Sequence, residues 1–144
     1  MNNMSNLWRQ VIIDHYKNPR NKGLSNEEGY FSYHIKNPSC GDEITIQTKV
    51  EGGKVIDVRH EGKGCSICCA SASIMSELLK NKKLEDALNF TDNYLKMVSN
   101  DNYDESYDLD EAIVFEGVRD FPARVKCASI AWNAFIHSVN KDEK

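Results

Sequence analysis

Glu43-Ile44-Thr45-Ile46-Gln47-Thr48-Lys49-Val50-Glu51-Gly52-Gly53-Lys54-Val55-Ile56-Asp57-Val58-Arg59-His60-Glu61 alternates its side chains on either side of a glycine pair. Ile44, Ile46 and Thr48 alternate with Thr45, Gln47 and Lys49, then Val55, Asp57 and Arg59 with Ile56, Val58 and His60, the two-residue period of a strand. Gly52-Gly53 tolerates the positive φ of a tight turn, so the two runs predict a hairpin with strands Glu43 to Val50 and Val55 to Glu61. Tyr30 to Lys36 precedes them as a third extended segment, which makes the expected sheet small and antiparallel.

Outside this hairpin the period changes to that of helices. Leu7, Trp8, Val11 and Ile12 form one helical face, which stops near Asn18-Pro19 because the residue before proline is pushed out of the helical region. Gly62-Lys63-Gly64 ends the last strand. From Cys65 to Lys80, Ile67, Ser71, Ile74, Met75 and Leu78 recur at helical spacing, and Leu84 to Val98 predicts another helix, with Asn89-Phe90-Thr91 as a candidate interruption. The chain turns acidic and polar from Asn100 to Glu111. Asp120-Phe121-Pro122 resembles an N-cap followed by proline in the first turn, opening a last helix to about Val139 that carries Arg124, Cys127, Ala131 and Phe135 on one stripe. Strands followed by helices without βαβ alternation predict an α+β fold, a small antiparallel three-stranded sheet with helices packed on one face, in a single domain over residues 1–144.

Composition narrows the function. With 144 residues and 40% hydrophobic side chains the chain can bury a real core. Its 18 basic and 22 acidic side chains include no dense Lys/Arg stripe, which argues against nucleic acid as a partner. Met1 to Asn6 lacks the pattern of a signal peptide, and no window is long and apolar enough to span a membrane, so a cytoplasmic protein is expected. Five cysteines, an odd number, read in a reducing compartment as metal-binding, catalytic or buried thiols rather than disulfides.

Asn37-Pro38-Ser39-Cys40-Gly41-Asp42 concentrates the chemistry. Cys40 and Asp42 are two apart, which places both side chains on one side of an extended segment, and Gly41 between them removes any obstruction to what they jointly hold. Cys65 stands at a predicted helix start, where free amides and the dipole favour a thiolate. Cys127 falls in the first turns of the last helix. If Cys40, Asp42, Cys65 and Cys127 share one ion, the set is three thiolates and a carboxylate, four-coordinate and suited to zinc. Arg124, one turn before Cys127, is the candidate to compensate the remaining negative charge. Taken singly, each cysteine fits a buried apolar thiol better than a ligand. Cys68 and Cys69 read as small core residues. Cys65-Ser66-Ile67-Cys68 is also a Cys-x-x-Cys, but the βαβ context of a redox motif is absent. Among His15, His34, His60 and His137, His60 at a strand end is the best reserve ligand.

Asp14-His15-Tyr16-Lys17-Asn18-Pro19-Arg20-Asn21, Asn37-Pro38 with Cys40-Gly41-Asp42, Gly64-Cys65-Ser66-Ile67 with Ala70-Ser71-Ala72-Ser73, and Arg124-Val125-Lys126-Cys127 together resemble the NifU/IscU-like iron-sulfur cluster assembly proteins, nearest to the SufU branch. The resemblance implies zinc held by Cys40, Asp42, Cys65 and Cys127, with Cys40 as the catalytic sulfur acceptor; Arg124, expected to stabilise Asp42 while Cys40 reacts, is the second candidate catalytic residue. It also implies a pyridoxal-phosphate cysteine desulfurase of the SufS type that passes persulfide sulfur to Cys40, and downstream cluster assembly proteins as further partners. The alternative it implies is a scaffold carrying a transient iron-sulfur cluster. Lys126 stands where the scaffold branch has histidine, and Lys80 to Asp120 supplies a segment that branch lacks; both favour the sulfur acceptor. Cys68 and Cys69 depart from the family pattern.

Overall fold

The computed structural model describes residues 3–37, 41–99 and 103–142. The elements run α1 (Asn3–Lys17), β1 (Tyr30–Asn37), β2 (Asp42–Glu51), β3 (Lys54–Lys63), α2 (Ser66–Leu79), α3 (Leu84–Val98), a 3-10 helix (Asp110–Asp120) and α4 (Pro122–Asp142). The sheet is antiparallel in the order β1-β2-β3. Helices α2 and α4 pack on one of its faces, so the α+β architecture expected from the periodicities is the one observed.

That face carries Ile44, Ile46 and Thr48 of β2 and Val58 of β3, all buried. One irregularity adds to it. The pairing register shifts between Lys49 and Val50, so that Val55 and Val58, three apart in β3, both end in the core; a bulge re-aims side chains in this way. On the opposite face Gln47 is nonetheless buried, because it accepts the Ser25 amide at 2.6 Å and donates to the Ser25 carbonyl at 3.0 Å, fastening the 20–29 segment over the sheet.

Helix α3 runs unbroken through Asn89-Phe90-Thr91. The Thr91 hydroxyl donates to the Ala87 carbonyl at 2.8 Å and Phe90 enters the core, so both residues are absorbed by the helix. Residues Asp110–Asp120 form a 3-10 helix that a search for the 3.6-residue period does not signal. Its buried Ala112, Phe115 and Val118 recur every three residues, the repeat of that tighter helix. Asp120 closes this segment and Phe121 takes the capping position expected of Asp120, its carbonyl accepting the amides of Arg124 at 2.8 Å and Val125 at 3.0 Å.

The centre of the core is aromatic: Tyr94 stacks on Trp132 at 3.9 Å between ring centroids, and Phe90 lies parallel to Trp132 at 5.9 Å. Polar groups buried with them are matched. The Ser71 hydroxyl accepts from the Trp132 indole at 2.8 Å and donates to the Ala128 carbonyl at 2.8 Å, and the Tyr94 hydroxyl donates to that same carbonyl at 2.8 Å. Burial pushes the Tyr94 phenol far above its ordinary range, so it stays a donor. Two elements therefore grip α4 at Ala128, the residue after Cys127. That grip sets where the cysteine points.

Helix α1 is tied down through His15, which is buried; its Nδ1 lies 2.7 Å from the Ser73 Oγ of α2 and its Nε2 2.9 Å from a Glu111 carboxylate oxygen on the 3-10 helix. The Ser73 Oγ also accepts the Arg20 amide at 2.9 Å, which anchors the turn after α1.

Candidate metal centre

Three of the four expected ligands meet. Asp42 opens β2, Cys65 caps α2 and Cys127 lies in α4, and one ligand atom from each falls within 4.8 Å of the others. Asp42 and Cys127 are buried, at 1% and 6% exposure, while Cys65 is exposed, so the cluster opens to solvent on one side. Cys40 lies outside the described residues, two positions before Asp42 in the chain.

The local sequence explains each placement. Asp42 pairs with Asn37 at the end of the β1-β2 hairpin, and Gly41 beside it sits at φ +76°, in the left-handed region that glycine enters without penalty. Cys65 has extended backbone angles, and its amide, left free by the helix start, donates to Asp42 Oδ1 at 3.0 Å, with its Sγ 3.9 Å from Asp42 Oδ2. Gly64 is required by space: a Cβ there would stand 2.5 Å from Asp42 Oδ1. Gly64→Ala is therefore expected to displace the Asp42 carboxylate and lower stability by about 1–3 kcal/mol, the usual range for overpacking. The denaturation midpoint and a zinc competition titration check this; unchanged values in both would show that the Asp42 carboxylate does not sit against Gly64.

The donor set suits a soft divalent ion. A buried carboxylate facing two thiols costs free energy when ionised unless a cation or donors compensate it, and a tetrahedral N/S/O site for zinc is built from such groups. A carboxylate among sulfur ligands is the hardest donor present. Arg124 is exposed, and its guanidinium lies over the Phe121 ring at 4.9 Å. Cys68 is buried in the core, and Cys69 is half-buried against the Gly64 carbonyl at 3.8 Å, with burial pushing its thiol above the ordinary range. His60 does not join the cluster: its Nε2 donates to the Arg20 carbonyl at 2.7 Å, and desolvation lowers its pKa, which keeps the ring neutral.

A second group, His15 with Glu77 and Glu111, also brings ligand atoms within 4.8 Å. There the His15 Nε2 is already bonded to Glu111, and Arg20 stands 3.9 Å from Glu77, so the charges are satisfied by the protein itself. No sequence spacing signals this network, because its members come from α1, α2 and the 3-10 helix.

Comparison with known proteins agrees with this geometry. Residues 7–128 match the profile of the NifU-like N terminal domain. The chain is 45% identical to the zinc-dependent sulfurtransferase SufU of Bacillus subtilis, over 98% of its own length and 95% of that protein. It is 33% identical to the iron-sulfur cluster assembly scaffold protein IscU of Streptococcus pyogenes, over 98% and 87%. A crystal structure from Fervidobacterium islandicum, described as an iron-sulfur cluster assembly scaffold protein for the SUF system, superposes with a TM-score of 0.80 at 33% identity, covering 90% of this chain and 93% of that one. The three-stranded sheet, the helices on one face and the Asp42, Cys65, Cys127 cluster are thus set in a sequence related along nearly its whole length, and the chain belongs to the NifU-like N-terminal domain family.

Proposed function

We propose that the protein is a zinc-dependent sulfur acceptor in iron-sulfur cluster biogenesis, taking persulfide sulfur from a SufS-type, pyridoxal-phosphate-dependent cysteine desulfurase onto Cys40 for delivery to downstream assembly proteins. The observation that carries this reading is the convergence of Asp42, Cys65 and Cys127, with Cys40 two positions before Asp42 in the chain. Cys40, Asp42, Cys65 and Cys127 would hold the zinc. Bound there, zinc keeps its thiolate ligands deprotonated at neutral pH while damping their nucleophilicity and their oxidation.

The chain's own residues do the rest. The Cys40 thiolate attacks the outer sulfur of the donor's persulfide; a new sulfur-sulfur bond forms at Cys40, the donor's sulfur-sulfur bond breaks, and the donor cysteine leaves as a thiolate. Cys65 and Asp42, joined through the Cys65 amide, keep the site shaped while Cys40 reacts. Cys127, buried in α4, is held in place by the Ser71 and Tyr94 bonds to Ala128. Arg124 is free to turn from the Phe121 ring toward an anionic persulfide, since no carboxylate among the described residues holds it. Among the described residues no helix is long and apolar enough to cross a membrane. The chemistry needs reduced thiols, which supports a reducing compartment such as the cytoplasm.

The test is reconstitution with iron and sulfide under anaerobic conditions, alongside turnover of a cognate desulfurase. The acceptor reading expects zinc to persist and desulfurase turnover to rise on adding the protein. A stable visible chromophore that moves to an apo-acceptor, with zinc lost, would establish the scaffold reading in its place.

A further inference from the structure

A groove of about 360 Å³ lies between α1, the start of α2, the 3-10 helix and the start of α4. Trp8 and Ile12 of α1 form one wall, Ile67 closes the end, and Val114 and Val118 line the other side. Ser66, next to Cys65 in the chain, and Arg124, one turn before Cys127, also belong to its lining, so two of its lining residues are chain neighbours of the clustered cysteines. Around it Ile13 and Phe121 stand 42% and 51% exposed, an apolar margin unlike a surface facing only water.

The charges at the rim point to the occupant. Arg9 and Arg124 both reach the groove, and among the described residues neither has a carboxylate within ion-pair distance, although Arg20 and Arg59 are each paired with an aspartate. The chain as a whole carries four more acidic than basic side chains. Two unpaired arginines flanking an apolar groove are therefore a local reversal of its net charge. We propose that this groove receives a segment of the cysteine desulfurase that sets an apolar side chain between α1 and the 3-10 helix and carboxylates opposite Arg9 and Arg124, aligning the persulfide with the metal centre. The inference rests on the sulfur-acceptor reading and names where that partner grips. Apolar contact supplies affinity, and the rim charges supply association rate and salt dependence.

The test is binding of the full-length protein to a cognate desulfurase by calorimetry at low and high salt, with Ile13→Asp and Arg9→Glu. Ile13 and Arg9 are exposed, so both variants should keep the wild-type zinc content and melting temperature. Each is expected to raise the Kd about tenfold, and Arg9→Glu to flatten the salt dependence as well. Lys54→Glu, at the start of β3 and paired with Glu51 at the opposite end of β2 from Asp42, should bind as the wild type does. Wild-type affinity in both groove variants would overturn the proposal, as would an equal loss in Lys54→Glu. Binding is read separately from sulfur transfer: a wild-type protein that binds the desulfurase through the groove but accepts no sulfur sinks the acceptor reading and leaves the groove standing.

Discussion

Cys40→Ala is expected to drop stimulation of a cognate desulfurase, at limiting external reductant, to the unstimulated rate, a loss on the order of 10⁴-fold in the transfer step if the assay reaches that far. The reason is chemical. Alanine has no sulfur to attack the persulfide, and Cys69, the other thiol near the cluster, has its pKa pushed up by burial and its Sγ turned to the Gly64 carbonyl. Cys65 and Cys127 are occupied as ligands in this reading. The fold should survive, since the aromatic core rests on Phe90, Tyr94 and Trp132 and the grip on Ala128 on Ser71 and Tyr94. Cys40→Ser serves as the conservative control, because serine keeps the size but is un-ionised at neutral pH. Mass spectrometry after a single turnover should place one extra sulfur on the peptide that contains Cys40. Stimulation at the wild-type level in Cys40→Ala, or the added sulfur on Cys69, would remove Cys40 from its role.

Stripping zinc with a chelator should lower the melting temperature by about 8–16 °C. At a thousand-fold excess of ligand over its Kd, binding to the native state alone contributes about 4 kcal/mol, and each kcal/mol shifts a domain of this size by about 2–4 °C. The structure says why the loss should be felt globally. Asp42 starts β2, Cys65 starts α2 and Cys127 belongs to α4, so the ion would clamp the sheet to two of the helices packed on it. Without it, a buried carboxylate and two thiols face one another with the Cys65 amide as a partial compensation. Thermal melts before and after chelation, then after adding zinc back, measure the effect. An unchanged melting temperature in protein shown to be free of metal would mean that these residues contribute nothing to stability through an ion.

Much of the architecture was legible before any coordinates. The β2-β3 hairpin, the end of α1 at Asn18-Pro19 and the helices from Cys65, Leu84 and Pro122 follow from local period, turn glycines and proline, each a property of neighbouring residues. The 3-10 helix was less so, because its three-residue repeat of Ala112, Phe115 and Val118 mimics neither a strand nor an α-helix. The family motifs single out Cys40, Asp42, Cys65 and Cys127 as candidate ligands, whereas spacing alone does not separate a ligand cysteine from a buried thiol.

What the sequence determined by itself, then, was the set of elements, since backbone conformation responds to side chains a few positions away. What only the tertiary structure decided was which distant groups meet. Asp42, Cys65 and Cys127 come together because α4 is gripped at Ala128 by Ser71 and Tyr94 while Gly64 leaves room for the Asp42 carboxylate. Val55 joins Val58 in the core because the pairing register shifts at Lys49, and Arg9 comes to share a groove with Arg124 because His15 pins α1 to α2 and the 3-10 helix. Each depends on packing between segments far apart in the chain, where contact free energies rather than local propensity select the arrangement.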